Sequence, residues 1–361
     1  MKKFIALFIV VFSAMLSFLA CDKEQVIVQR HDDSINVEVS ISAPVTKATD
    51  IGDAISGKTH TSDEAKVNSL QVVIFDGTAI DGYSVVEDGL SVSVATHSGS
   101  RDIYAFVNAP DLSGCANKNE VLSTVASLGA SVGNFVMVGN TTGVLSDGAQ
   151  LTIYVNRLAA RVIIRKIKNA LANPALASSF KVKEIYLTNI AGSIALSGVE
   201  NTVPSDAWFN RRGYESRNNL GAVSYDLVNK NVSYDSVLDE AHYFYTMPNS
   251  HAAASGAVSG YWWTPRACKL VVRCTIGGVD YDYPIDFGNA LLSNKSYEIV
   301  QLNITRLGNV DDGNNPSSTN SDDTDEETQV EGVEQGVVIE VDDWNVKLVS
   351  NSGHDDGEWT I

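Results

Sequence analysis

Residues 52–59, Gly52-Asp53-Ala54-Ile55-Ser56-Gly57-Lys58-Thr59, satisfy the GxxxxGK[ST] spacing of a phosphate-cradling loop. Such a loop needs a buried strand before it and a helix after it, whose first amides face the phosphate oxygens. Residues 43–51 (APVTKATDI) and 60–69 (HTSDEAKVNS) supply neither element, so the match is read as accidental. The six histidines (His31, His60, His97, His242, His251 and His354) show neither HExxH nor paired Cys/His metal spacing. No serine sits in a GxSxG elbow, and nothing among the 44 acidic residues singles out a catalytic pair. The sequence therefore gives no reason to expect a catalytic residue, a metal site or a cofactor.

Cys21 is the residue whose surroundings do imply chemistry. Lys2 and Lys3 precede an apolar and small-residue run over residues 4–20, and the chain turns polar at Asp22-Lys23-Glu24. This is the order of a secretory signal peptide over residues 1–20, at the short edge of the ~17–25 residues that a spanning helix needs. Phe18-Leu19-Ala20-Cys21 fits a lipobox in its small residue before Cys, and departs from it in carrying Phe18 where Leu is usual. Acylation of Cys21 would replace the lost helix by covalent lipid, at ~0.8 kcal/mol per buried CH₂. The membrane is then met through a lipid anchor only.

Formal charge is −18, which argues against nucleic acid as a partner. About 340 residues remain after the leader, enough for two domains. Period-two alternation dominates them: Ile35, Val37, Val39 and Ile41 alternate with Asn36, Glu38 and Ser40, and Leu70, Val72 and Ile74 repeat the pattern before Asp76-Gly77. Further strands are expected over residues 90–95, 103–108, 135–138, 151–155, 160–167, 182–188, 242–247, 270–276, 279–285, 297–305 and 337–341. One short helix is expected over residues 116–127, starting near Asn117 or Asn119. The fold class is all-β, with two β-sandwiches rather than an α/β sheet.

A weak internal repeat places a boundary near Asn156, giving an N-terminal domain over 21–155 and a C-terminal one over 156–361. Residues 35–42 with 67–77 resemble in layout residues 160–168 with 180–190, and 103–110 are echoed by 243–249. Residues 311–335 hold nine acidic residues and no basic one, the composition of a solvated loop. Calcium binding by Asp322, Asp323, Asp325 and Glu326 is the alternative, but the ligand order of an EF-hand is missing. Tyr261-Trp262-Trp263 is an aromatic cluster that would suit sugar stacking if one indole were exposed, since neighbours on a strand point to opposite faces. Cys115, Cys268 and Cys274 are odd in number. Cys268 and Cys274 would lie ~20 Å apart on one strand, too far to bridge.

Taken in order, residues 21–24 (CDKE), 35–50 (INVEVSISAPVTKATD), 65–77 (AKVNSLQVVIFDG), 103–110 (IYAFVNAP), 155–167 (VNRLAARVIIRKI), 296–308 (SYEIVQLNITRLG) and 337–346 (VVIEVDDWNV) resemble the type V pilins, the FimA-like fimbrillin family of Bacteroidetes. The resemblance runs from the lipobox to the last strand, through individually loose motifs. It implies two transthyretin-like β-sandwich domains in an outer-membrane lipoprotein that is cut by an Arg- or Lys-specific protease. The subunit then joins a surface fimbrium with a role in adhesion, as the strand released by the cut is replaced by a C-terminal strand of a neighbour. The partners implied are other fimbrial subunits, the maturation protease, and a host or bacterial surface receptor.

On that resemblance Ile35, Val37, Val39 and Ile41 form the removable strand. Lys47 falls where the family has its basic cleavage residue, with Lys in place of Arg, while Arg30 and Lys58 remain alternatives. A cut after Arg30 would remove the anchor and leave the strand in place. Val337, Ile339, Val341, Val346 and Leu348 are the donor-strand candidates, although the part before Trp344 reads equally as the last strand of its own domain. The rival readings are a cell-surface glycan-binding lipoprotein with a Trp platform, and a surface glycan hydrolase with two carboxylates in a cleft.

Overall fold

The computed structural model of the chain describes residues 34–42, 64, 66–129, 133–200, 208–211, 223–251, 265–288, 290–310, 338–344 and 349–350. Its first strands are β1 (Ser34–Ser42), β2 (Lys66–Val67), β3 (Ser69–Asp76), β4 (Ala79–Glu87), β5 (Ser91–His97) and β6 (Gly99–Val107). After the short helix α1 (Lys118–Ser123) come β7 (Val125–Ser127), β8 (Met137–Leu145), β9 (Gln150–Tyr154) and β10 (Asn156–Arg157). β1 lies between antiparallel β5 and parallel β9. The facing sheet has the order β10-β8-β6-β3-β4. Alternation sends every second side chain of β1 inward, where Val37 and Val39 meet Val72, Ile74, Ile103 and Leu145.

Glycine lets the two sheets meet at their corners. A Cβ on Gly139 of β8 would lie 2.2 Å from the carbonyl oxygen of Tyr154 on β9. One on Gly82 of β4 would lie 2.7 Å from the carbonyl oxygen of Ala95 on β5. Side chains at either position would push the strands apart.

The second half begins with β11 (Ala160–Asn169), α2 (Pro174–Ala177) and β12 (Lys181–Thr188). Short strands β13 (Ile190–Ala191), β14 (Ser193–Ala195) and β15 (Trp208–Phe209) precede β16 (Tyr225–Asn231), β17 (Val237–Thr246), β18 (Lys269–Ile276) and β19 (Val279–Asp286). The last are β20 (Lys295–Ile299), β21 (Leu302–Ile304), β22 (Asn309–Val310), β23 (Ile339–Asp343) and β24 (Val349–Ser350). One sheet runs β17-β11-β20-β23, with β21 also on β11, and the other runs β16-β12-β18-β19-β22. Val162, Ile164, Ile185, Leu187, Val272 and Phe244 fill the space between.

The two sandwiches repeat one wiring. β11 sits between antiparallel β17 and parallel β20, as β1 sits between β5 and β9. β12 sits between antiparallel β16 and β18, as β3 sits between β4 and β6. The layout repeat expected between residues 35–77 and 160–190 therefore has a structural counterpart. The echo of 103–110 in 243–249 does not: β6 pairs with β3, whereas β17 pairs with β11, so the two are not equivalent strands. Among the described residues, β23 has no counterpart in the first sandwich.

The sandwiches are joined by more than chain. β7 pairs with β14, and the Leu128 amide donates to the Gly192 carbonyl at 2.7 Å. Val73, Phe75 and Phe106, on the side of their sheet away from the first core, share one apolar cluster with the second sandwich. The helix expected over 116–127 is shorter than its pattern. Asn117 caps it by accepting from the amides of Asn119 and Glu120, it ends at Ser123, and residues 125–127 become a strand because β14 lies alongside. β4 and β16 were not expected as strands; their polar residues and the Asp81-Gly82 pair hide them from a periodicity search. Cys115, Cys268 and Cys274 are unpaired, and burial pushes the Cys268 and Cys274 thiols up, away from the reactive thiolate.

Candidate functional site

Strand exchange requires a first strand that fills a groove and a C-terminal strand able to leave. β1 has the features expected of the first. Ile35, Val37, Val39 and Ile41 are buried, with Val39 at 0% exposure. Both edges of β1 are bonded: the Ile41 amide donates to the Leu90 carbonyl at 2.9 Å on one side, and the Glu38 amide to the Ala149 carbonyl at 2.8 Å on the other. Its four apolar side chains contribute roughly 1.5–3 kcal/mol each, an upper bound because the unfolded chain already buries some of that surface. Without β1, facing edges of β5 and β9 would stand unpaired over an apolar floor.

The C-terminal strand is placed differently. β23 pairs antiparallel with β20, Val341 opposite Tyr297, inside its own sandwich. Ile339 is half-buried and Val341 is 52% exposed, so β23 holds its place with little apolar area. Beyond it, β24 runs parallel to β2, Val349 opposite Lys66. Val337, Val346 and Leu348 lie outside the described residues, as do Cys21, Arg30, Lys47, Lys58, the 52–59 motif, Trp262, Trp263 and the acidic segment 311–335.

Between these strands lies a set of buried polar residues that sequence reasoning missed. Trp344, fully buried, follows β23 directly. Its indole Nε1 donates to the Glu64 carboxylate at 3.0 Å, and its backbone amide donates to the Asn294 carbonyl at 2.8 Å. Arg157 bridges two stretches far apart in sequence: Nη1 donates to the Trp344 carbonyl at 3.0 Å, and Nη2 to the Glu64 carbonyl at 2.8 Å. Glu64, 1% exposed, also accepts from Arg161 Nη1 at 2.9 Å and from the Tyr245 hydroxyl. Arg157 stands over the Trp344 ring at 4.7 Å, Tyr245 stacks on it at 5.6 Å, and Phe135 meets it edge-on at 5.1 Å.

Each charge here is satisfied, as burial requires: Glu64 pairs with Arg161, and Arg157 is met by two backbone carbonyls and the Trp344 ring. Burial pulls the Arg157 guanidinium down to about 10 even though Glu64 opposes the shift. Burial, then the Glu64 carboxylate, pushes the Tyr245 phenol up, so it stays a donor. No spacing rule brings residues 64, 157, 245 and 344 together. The one local signal is an aromatic residue after the acidic pair Asp342-Asp343. Among the described residues no three His, Cys, Asp or Glu side chains are grouped to hold a metal, and no helix is long and apolar enough to cross a membrane.

Comparison with known proteins agrees with this architecture. Residues 35–177 match the model of the family described as major fimbrial subunit protein (FimA), a match that opens within β1. The likeness to the FimA-like fimbrillins read from the sequence is thereby shown over that stretch. The chain is similar in structure to a candidate cell adhesion protein of Bacteroides eggerthii DSM 20697, with a TM-score of 0.58 and 17% identity over 88% of this chain and 98% of that one. It is similar to a fimbrilin (FimA) of Porphyromonas gingivalis W83, with a TM-score of 0.52 and 15% identity over 76% and 91%. A candidate cell adhesion protein of Parabacteroides distasonis ATCC 8503 gives 0.52 and 19% over 89% and 99%. At these identities the structural likeness carries the fold, that of an all-β fimbrilin with two sandwiches. No curated protein sequence matches the chain at a significant level.

Proposed function

We propose that the chain is a structural subunit of a surface fimbrium, carried to the outer membrane as a lipoprotein acylated at Cys21 and polymerised by protease-triggered strand exchange. The family match supports the structural, non-enzymatic role and assembly with other fimbrial subunits. The observation that carries the exchange step is the seat of β1, an interior strand with its whole apolar face buried at the very start of the described chain. A cut after Lys47 would free it, and β-augmentation by a neighbour's C-terminal strand would refill the groove. β23 suits the donor role because, among the described residues, it has no counterpart in the first sandwich. Among the described residues the first sandwich closes its core on the shared wiring with no such strand, which supports a second sandwich that keeps its core after release.

The test is limited digestion of the unlipidated precursor with a trypsin-like protease, read by intact mass and size-exclusion chromatography. A single stable cut after Lys47, loss of residues 34–42 and growth of ladders is the expected result. A stable monomer with β1 still bound after the cut would sink the polymerisation mechanism.

A further inference from the structure

β23 is held by an edge pairing, and its described apolar side chains are little buried: Val338 and Val341 are 58% and 52% exposed, and Ile339 is half-buried. The fully buried side chain of the segment is Trp344, one residue beyond the strand. We propose that Trp344 is the peg that keeps the C-terminal strand closed on β20, and that Glu64 and Arg157 are its socket. This rests on the assembly reading above and deepens it by naming what regulates release of the donor strand.

The hydrogen bonds make the coupling reciprocal. β23 cannot leave without withdrawing the indole N–H from the Glu64 carboxylate and the Trp344 carbonyl from Arg157. Both groups left behind are buried charges, which makes partial opening costly and release close to all-or-none. Glu64 itself stands just before β2, between the removable strand and the rest of the chain. The socket is therefore built from the same stretch of chain that the processing step is expected to alter. Arg157 ties that stretch to the C-terminal end through the carbonyls of Glu64 and Trp344 at once. Loosening Glu64 loosens Trp344, and the reverse holds by linkage.

The experiment is amide hydrogen exchange on the full chain, uncut and dilute, comparing the wild type with Trp344→Phe, Glu64→Gln, their double variant and Val341→Ala. Trp344→Phe keeps a smaller aromatic ring and removes the N–H, and Glu64→Gln keeps the shape and removes the charge. Each is expected to speed exchange at 339–343 and at β20 by about tenfold or more, while β1 and β3 stay unchanged. The double variant is expected to add much less than the sum of the singles, because both break one bond. In the uncut chain Val341→Ala, whose side chain is 52% exposed, is expected to leave exchange at 339–343 and at β20 close to wild type. Unchanged exchange at 339–343 in both single variants, a uniform rise across the molecule, or fully additive effects would overturn the proposal. Polymerisation is read separately after proteolysis. A peg effect in a chain that never forms ladders would overturn the assembly mechanism and leave the peg standing, whereas ladders without a peg effect would overturn the peg alone.

Discussion

Val39 and Val92 lie opposite each other across the antiparallel pair of β1 and β5, and Val39 is completely buried there. The first strand is thus built into the core of its sandwich as firmly as the strands around it. Val39→Asp would bury an unpaired carboxylate, and it is expected to lower the stability of the uncut chain by about 3 kcal/mol or more in urea denaturation. Asn36→Asp, on the exposed face of the same strand, is expected to stay within about 0.5 kcal/mol of wild type.

Gly139→Ala tests the corner at which β8 passes β9. The added methyl would meet the Tyr154 carbonyl and Ile153 Cγ2, both nearer than atoms tolerate. A loss of about 1–3 kcal/mol in the same denaturation measurement is expected, as for an overpacked core. Gly143→Ala, four residues along the same strand with nothing near its Cβ, is the control and is expected to be close to neutral.

Asp81 closes the opposite corner, and its effect depends on pH. It accepts from Thr96 Oγ1 and Arg101 Nε, each at 2.7 Å, and from the His97 amide at 3.1 Å. Burial pushes its carboxyl up, but the hydrogen bonds from Arg101, Thr96 and His97 outweigh that and hold it well below the usual carboxylate range. A depressed folded-state value means stability that is present above the unfolded value near ~4 and is lost as pH falls through the folded one. Asp81→Asn is therefore expected to cost about 1–3 kcal/mol at pH 7. Thermal melts taken at falling pH should show the gap to wild type narrowing below pH ~4, and a gap constant with pH would refute the assignment.

In the second sandwich, Arg273 donates to both carboxylate oxygens of Asp282, at 2.6 Å each, and neither residue is exposed beyond 2%. Asp282→Ala leaves the guanidinium with Glu184 at 3.3 Å as its other acidic partner. A loss of about 3–5 kcal/mol is expected. Asp282→Leu combined with Arg273→Met is expected to recover much of it, since removing both charges removes the desolvation cost as well. Urea denaturation of the two variants checks the order.

The sequence by itself determined the strands whose burial is one-sided. β1 and β5 were legible because in each every second side chain is the more buried one, and period-two patterning is a local property. The layout repeat was legible for the same reason, and it anticipated the equivalence of β1 with β11 and of β3 with β12. Tertiary structure alone decided the rest. β4 and β16 are edge strands, so their polar faces carry no alternation. Residues 125–127 changed from expected helix to strand because β14, distant in sequence, offered its edge. Above all, the assembly of Glu64, Arg157, Tyr245 and Trp344 lies beyond any local reading. A buried charge is tolerated only where the fold delivers its partners, and here those partners come from positions up to 280 residues apart.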